Sequence, residues 1–382
     1  MMTTSRLAVF NGSGRPFEYR TVTVPALAGG EILVRNEYTT LCRSDLNTYS
    51  GKRQERTPTV LGHETVGRIA EMAPGAPSVD SRGTPLKVGD RITWAIYSSD
   101  PGSELSRMGI PQKGDGLFKY GHERITPEST LHGGLSEYCI LRRNTPVVRA
   151  RDGVPLPVLA LVNCCVATVA GSLRLAGDIR DRNVLIAGAG MLGVMACAMC
   201  RCAGAGHVIA ADIDAERLRV AGTFGADLTV AIRDDGPSLQ DRLHTLIRDE
   251  PLLVGLDYSG VPDTMEELLA ALDVGGTAVF VGAAFPQRPL RVNAELLIRK
   301  LNTIKGLHNY NQDDLVAAVA FIEEHHRSFP FAGLVHGKFD LRTVDEAFAY
   351  GLSSGAYRVG IRCDGDLAPP SRRQITTEPV FP

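Results

Sequence analysis

The sequence predicts an α/β fold in two parts, a mostly antiparallel β-rich domain followed by a doubly wound parallel sheet. Two observations carry this. Residues 1–157 are rich in glycine, proline and short β-prone runs broken by turn signals. From residue 158 apolar strands alternate with small-residue helices, the pattern of βαβ units. The length agrees, because 382 residues exceed one ordinary core and suit two domains.

The first elements follow in order. Met1–Phe10 reads as a strand and lacks the basic-then-apolar layout of a signal peptide. Glu31–Arg35, Thr65–Ile69 and Arg91–Trp94 read as strands, with Ala28-Gly29-Gly30 and Val88-Gly89-Asp90 as turns between them. In the second part Asn183–Ala187, His207–Ala211, Gly255–Tyr258 and Thr277–Val281 read as buried strands. Residues 158–310 form this parallel-sheet domain, and 311–364 return to the first domain through a helix, Asp313–His325, and a strand, Tyr357–Ile361. Residues 365–382, with four prolines and little apolar periodicity, read as a mobile tail.

Composition excludes several function classes. A formal charge of -2 attracts neither nucleic acid nor an anionic membrane. No uninterrupted apolar run reaches 18 residues, so no membrane-spanning segment is expected. Eight cysteines in 382 residues are no disulfide framework; a reduced cytoplasmic protein with cysteines free for metal is the expectation.

Gly188-Ala189-Gly190-Met191-Leu192-Gly193 follows the strand ending at Ala187 and opens a helix near Leu192. In that context G-x-G-x-x-G is a dinucleotide fingerprint of the Rossmann type. Gly188 permits the turn, Gly190 lets backbone approach a pyrophosphate, and Gly193 allows helix and strand to pack closely. Asp212 ends the next strand, where a carboxylate accepts from ribose hydroxyls and repels a 2′-phosphate, so NAD is expected over NADP.

Three further segments carry metal-ligand chemistry: Leu41-Cys42-Arg43-Ser44-Asp45, Leu61-Gly62-His63-Glu64 and Asn163-Cys164-Cys165. Two thiolates and one imidazole leave a tetrahedral zinc with one open position. The order C-x-x-D, G-H-E, a cysteine four residues before Thr168, then GAGMLG and Asp212, resembles the zinc-containing medium-chain alcohol dehydrogenases over roughly residues 15–362. The resemblance implies a GroES-like catalytic domain interrupted by a Rossmann domain. It implies one catalytic zinc on Cys42, His63 and Cys164, with Cys165 the alternative ligand. It also implies that Asp45 orients the histidine, that Glu64 approaches the metal transiently, that Ser44 takes the substrate proton, and that Thr168 lies beside the nicotinamide. Arg43 and Arg358 match pyrophosphate contacts. A small-molecule alcohol or carbonyl substrate and a homo-oligomer, dimer or tetramer, are the implied partners.

The chain departs from that pattern twice. The proton relay often continues to a histidine three residues after the serine; here stands Asn47, which holds no proton near neutral pH. Many members carry a structural zinc on four cysteines, but Asp100, Ser103, Ser106 and Gly114 occupy that spacing. No structural zinc is expected, and the lobe Ser98–Gly116 should be looser or held by packing. Leu117–Glu123, Gly306–Tyr310 and Tyr49-Ser50-Gly51 resemble the branch of phosphonate-catabolism alcohol dehydrogenases. An anionic head group would then fall to Lys119, His122, Lys52 or Arg53; a sugar or cyclitol alcohol is the alternative. Two other readings compete: a reductase of a C=C or C=N bond, which Asn47 favours, and a non-catalytic binding protein. Cys197, Cys200 and Cys202 read as helix packing, and His325-His326 as a helix-end cap.

Overall fold

The computed structural model describes residues 2–232, 237–248, 250–283 and 286–364, so the expected tail at 365–382 lies outside the described residues. The chain divides into two compact units: 1–164, 311–327 and 331–382 form one, and 165–310 with 328–330 the other.

The first unit is built on a seven-stranded sheet. Its order is Val335–Asp340, Arg358–Arg362, Ile32–Leu41, Glu64–Met72, Arg91–Trp94, Val147–Arg149, with Tyr138–Leu141 also pairing Ile32–Leu41. All pairs but the first are antiparallel. Ile32–Leu41 is the central strand, and its alternation turns Ile32 and Val34 into a core with Ile69, Ile92, Trp94 and Phe118. A second core beside it gathers Leu7, Phe10, Phe17, Leu41, Leu61, Phe348 and Ile361.

In the same unit Asp100, Ser103, Ser106 and Gly114 converge. Ser103 Oγ donates to Ser106 Oγ at 2.9 Å, and Ser106 Oγ donates to the Asp100 carbonyl at 2.7 Å. The lobe is therefore neither loose nor held by packing alone; a hydroxyl network ties it.

The second unit is a six-stranded parallel sheet in the order Leu228–Ala231, Val208–Asp212, Asn183–Ala187, Leu252–Asp257, Thr277–Phe280, Thr303–Gly306. By sequence rank that is 3-2-1-4-5-6, the doubly wound dinucleotide-binding order. Asn183–Ala187 and Val208–Asp212 are buried at every residue, as central parallel strands covered on both faces must be. The helix Met191–Cys202 buries Cys197 and Cys200 and exposes Cys202, which agrees with a packing role.

One result differs from the sequence expectation. The helical run Leu156–Ala176 is long and apolar enough to cross a membrane despite its scattered polar residues, but 78% of its apolar window is buried inside the protein, as in a core helix.

Candidate active site

Sheet register builds the first half of the site. The central strand Ile32–Leu41 sets Thr40 opposite Glu64 on one side and Leu41 opposite Val359 on the other. Cys42 follows as the N-cap of the helix Arg43–Tyr49, so Cys42, Glu64 and Arg358 meet from three adjacent strand ends. Cys164 arrives in a π-helical turn, Val162–Val166, an irregularity common at functional sites. Donor atoms of Cys42, His63, Glu64 and Cys164 all lie within 4.8 Å of one another. Cys165 is buried and is not in this group.

The electrostatics suit a cation. A hydrogen bond from Cys164 pulls the Cys42 thiol well below its ordinary value, and Arg358 and His63 add to that. The resulting thiolate holds the proton on Cys164, whose thiol moves well up. Burial acts to lower His63, but Asp45 and Cys42 outweigh it and raise the imidazole. Burial drives Glu64 upward against the opposing pull of Arg358. Two thiols, an imidazole and a carboxylate so spaced fit tetrahedral zinc, whose bonds of about 2.0–2.3 Å need only small side-chain movement.

Asp45 lies where the sequence expects it. It accepts from the Cys42 amide at 2.9 Å, and its Oδ1 is 3.5 Å from His63 Nδ1. Arg358 has a protein partner that the sequence does not reveal. Its guanidinium grips both oxygens of Glu64, at 2.7 and 2.8 Å, and reaches Cys42 Sγ at 3.6 Å. A carboxylate with no exposure requires a cation, and Arg358 supplies it. Ser44 is half-buried and Arg43 exposed on the helix Arg43–Tyr49, while Thr168 stands on Ala167–Ala176 in the second unit.

Sequence reasoning missed three contributors. Thr40 Oγ1 donates to Glu64 at 2.6 Å. Asn163 donates to the carbonyls of His63 and Trp94, both at 2.9 Å, and accepts from the Thr65 amide at 3.3 Å, so it fixes the backbone around His63 and Glu64. A Cβ at Gly121 would lie 2.7 Å from the Gly62 carbonyl oxygen. That close approach lets His122 lie against His63, with ring centroids 4.9 Å apart. His122 Nδ1 lies 3.0 Å from Glu55 Oε1, which also pairs with Arg53 at 2.7 Å. Arg53, Lys119 and His122 line one cavity of about 570 Å³, whereas Lys52 does not reach it.

In the second unit Gly188 takes a positive φ of 94°, and a Cβ at Gly193 would collide with the Gly188 carbonyl. Gly190 is the N-cap of the helix that Met191 and Leu192 open. Asp212 accepts from the Ala189 amide at 2.6 Å and the Asp214 amide at 2.9 Å, which places its carboxylate against the glycine loop.

Comparisons with known proteins agree with this geometry. Residues 28–152 match the alcohol dehydrogenase GroES-like domain, and residues 192–324 match the zinc-binding dehydrogenase family. The chain belongs to the zinc-containing medium-chain dehydrogenase/reductase superfamily. It is a zinc-dependent dehydrogenase acting on alcohols with a nicotinamide cofactor, which sets aside the non-catalytic reading. The dehydrogenase is 28% identical to an L-threonine 3-dehydrogenase of Streptomyces avermitilis, over 88% of this chain and 93% of the relative. An alcohol dehydrogenase structure from Thermotoga maritima matches it with a TM-score of 0.87 and 25% identity, over 94% of this chain and 99% of that one. A zinc-binding dehydrogenase of Sinorhizobium meliloti, bound to NADP, shares the fold at a TM-score of 0.79 and 20% identity, over 94% and 99%.

Proposed function

We propose that this dehydrogenase reversibly oxidises a small polar alcohol to its aldehyde or ketone, passing hydride to NAD, with one zinc held by Cys42, His63 and Cys164. The supporting observation is the approach of those donors and Glu64 to within 4.8 Å of one another. Bound zinc supplies Lewis acidity, which favours the deprotonated alcohol. The chain supplies the rest. Asp45 engages His63 through Nδ1, which leaves Nε2 for the metal. Arg358 and Thr40 hold Glu64, the carboxylate that can approach the metal. Ser44 would take the hydroxyl proton, and Asn47 cannot receive it from there, so that proton would need another route to water. A bound nicotinamide would supply the hydride acceptor for the alcohol carbon; Thr168 would flank it and Arg43 would meet its pyrophosphate.

Asp212 supports NAD, because a 2′-phosphate would meet its buried negative charge. Asp100, Ser103, Ser106 and Gly114 offer no thiolate, so we assign no structural zinc. The alcohol carries an anionic head group such as a phosphonate, or is a sugar or cyclitol. The outer strand Thr303–Gly306, with Ile298 and Leu301 70% and 72% exposed nearby, supports a homo-oligomer.

The test is zinc analysis together with oxidation of a panel of alcohols with NAD and NADP. We expect one zinc per chain and a preference for NAD. In Cys42→Ser we expect loss of zinc and of several kcal/mol of rate acceleration, roughly three orders of magnitude in kcat/KM. Failure of every alcohol with zinc bound would sink the reading.

A further inference from the structure

We propose that Asn163 is a positioning residue for the metal centre: it ties the turn that carries Cys164 to the backbone of His63, and so sets how tightly zinc is held. The inference rests on the reading that Cys42, His63 and Cys164 hold one zinc.

Cys164 reaches the donor cluster from an unusual segment. Val162–Val166 is a π-helical turn, a form far rarer than the α-helix and found mostly as single turns. Neighbouring side chains on a helical turn point roughly 100° apart, so the rotation of the turn decides which thiol enters the cluster. Cys164 enters it; Cys165, next in the chain, is buried outside it.

Asn163 fixes that rotation. It has no exposure. The strands Glu64–Met72 and Arg91–Trp94 pair as far as Val66 and Thr93, and the groups just past that last pair are the ones Asn163 engages. Its Nδ2 donates to the carbonyls of His63 and Trp94, both at 2.9 Å, and its Oδ1 accepts from the Thr65 amide at 3.3 Å. Two acceptors and one donor admit a single orientation of a carboxamide. An aspartate lacks the N–H donors, and a leucine offers no polar atom.

The three metal ligands are thus joined by two ties. Asp45 joins the first two: it accepts from the amides of Cys42 at 2.9 Å and Gly62 at 3.4 Å, and lies 3.5 Å from His63 Nδ1. Asn163 joins the second to the third, since it bonds the His63 carbonyl and is the chain neighbour of Cys164. Without it the Cys164 sulfur has no fixed distance from the imidazole, and a metal must order the turn as it binds.

The test is metal titration of the wild type, Asn163→Leu and Asn163→Ser, with cobalt(II) as the spectroscopic probe and zinc affinity from competition with a chelator. Cobalt(II) held by thiolates absorbs in the near ultraviolet in proportion to their number. We expect Asn163→Leu to bind zinc about 10–100-fold more weakly, the range for loss of a group that orients a ligand, with a weaker thiolate band. Asn163→Ser keeps one donor and should fall between. A purely structural role would lower the unfolding midpoints of metal-free and zinc-loaded protein equally and leave zinc affinity and the cobalt spectrum unchanged; that result overturns the proposal. Two variants that keep Asn163 test the presentation of the thiol without disturbing the tie. Cys164→Ser should lose about half of the thiolate band and Cys165→Ser none of it, and the reverse overturns the proposal. Absence of metal from the wild type overturns the zinc reading itself, whereas a metal-binding wild type with unaltered Asn163 variants overturns this inference alone.

Discussion

The donor cluster around Cys42 and the lobe Ser98–Gly116 belong to one unit, and each gathers polar side chains where the superfamily places a zinc. They solve the burial of polarity differently. In the cluster, ionisable groups converge with almost no solvent: His63 is 4% exposed and Glu64 0%. Such groups need partners of opposite charge, and these come from other elements, Arg358 on the strand Arg358–Arg362 for Glu64 and Asp45 on the helix Arg43–Tyr49 for His63. In the lobe, hydroxyls take the place of thiols and satisfy one another within a few residues. The lesson is that a site for a cation holds unfavourable charge in readiness, whereas a lobe that carries hydroxyls in place of thiols settles into neutral hydrogen bonds.

The largest expected effect tests the charged side of that contrast. Arg358→Met leaves Glu64 buried with only Thr40 as side-chain partner among the described residues, and removing one member of a buried pair costs about 3–5 kcal/mol. The shift in unfolding midpoint measures it. Adding Glu64→Gln should recover most of the loss, since no unpaired charge then remains. A cost below about 1 kcal/mol for the single variant would show that the pair does not carry this unit.

That pair also marks where sequence reading stops. Cys42, Asp45, His63, Glu64 and Cys164 were legible because each sits in a short motif whose spacing implies its chemistry. The glycine loop and the strand at Asn183–Ala187 were legible for the same local reason. The pairing of Arg358 with Glu64 was not legible, because it is set by the register of Arg358–Arg362 on Ile32–Leu41, and nothing local specifies register across so long a stretch of chain. Asn163 was quoted beside Cys164 without a role, because its three backbone partners come from two other strands and their approaches. The packing of His122 on His63 depends on the absence of a side chain at Gly121, which a sequence records only as another turn glycine.

His132 sharpens the comparison from a third direction, as a buried polar group with neither charge partner nor neutral network. It is 1% exposed, both ring nitrogens lack hydrogen-bond partners among the described residues, and it stands edge-on to Phe118 at 5.9 Å. Burial pushes its imidazole down to about 4. The folded value lies below the unfolded one of about 6.5, so its contribution to stability is complete above pH 6.5 and is lost as pH falls toward 4. Between pH 7 and pH 5 the wild type should lose about 2 kcal/mol through this residue, and His132→Leu should remove that part of the slope. Urea midpoints at the two pH values decide it; equal slopes in both proteins would mean that another group governs acid sensitivity.

The smallest effect belongs to the lobe, and it is the one that most directly separates the two regions. Ser103 caps the short helix Glu104–Arg107 by accepting from the Ser106 amide at 3.3 Å, and its hydroxyl also meets Ser106 Oγ. Ser103→Ala should cost about 1 kcal/mol, the usual price of a lost N-cap, without changing zinc content or kcat. Gly114 belongs to the same knot, since a Cβ there would lie 2.6 Å from Ser106 Oγ. If Ser103→Ala instead lowered bound zinc as Cys42→Ser does, the hydroxyls would be coupled to the metal site and the division drawn between cluster and lobe would fail. If it left stability untouched, packing rather than hydrogen bonding would hold the lobe, as the sequence alone allowed.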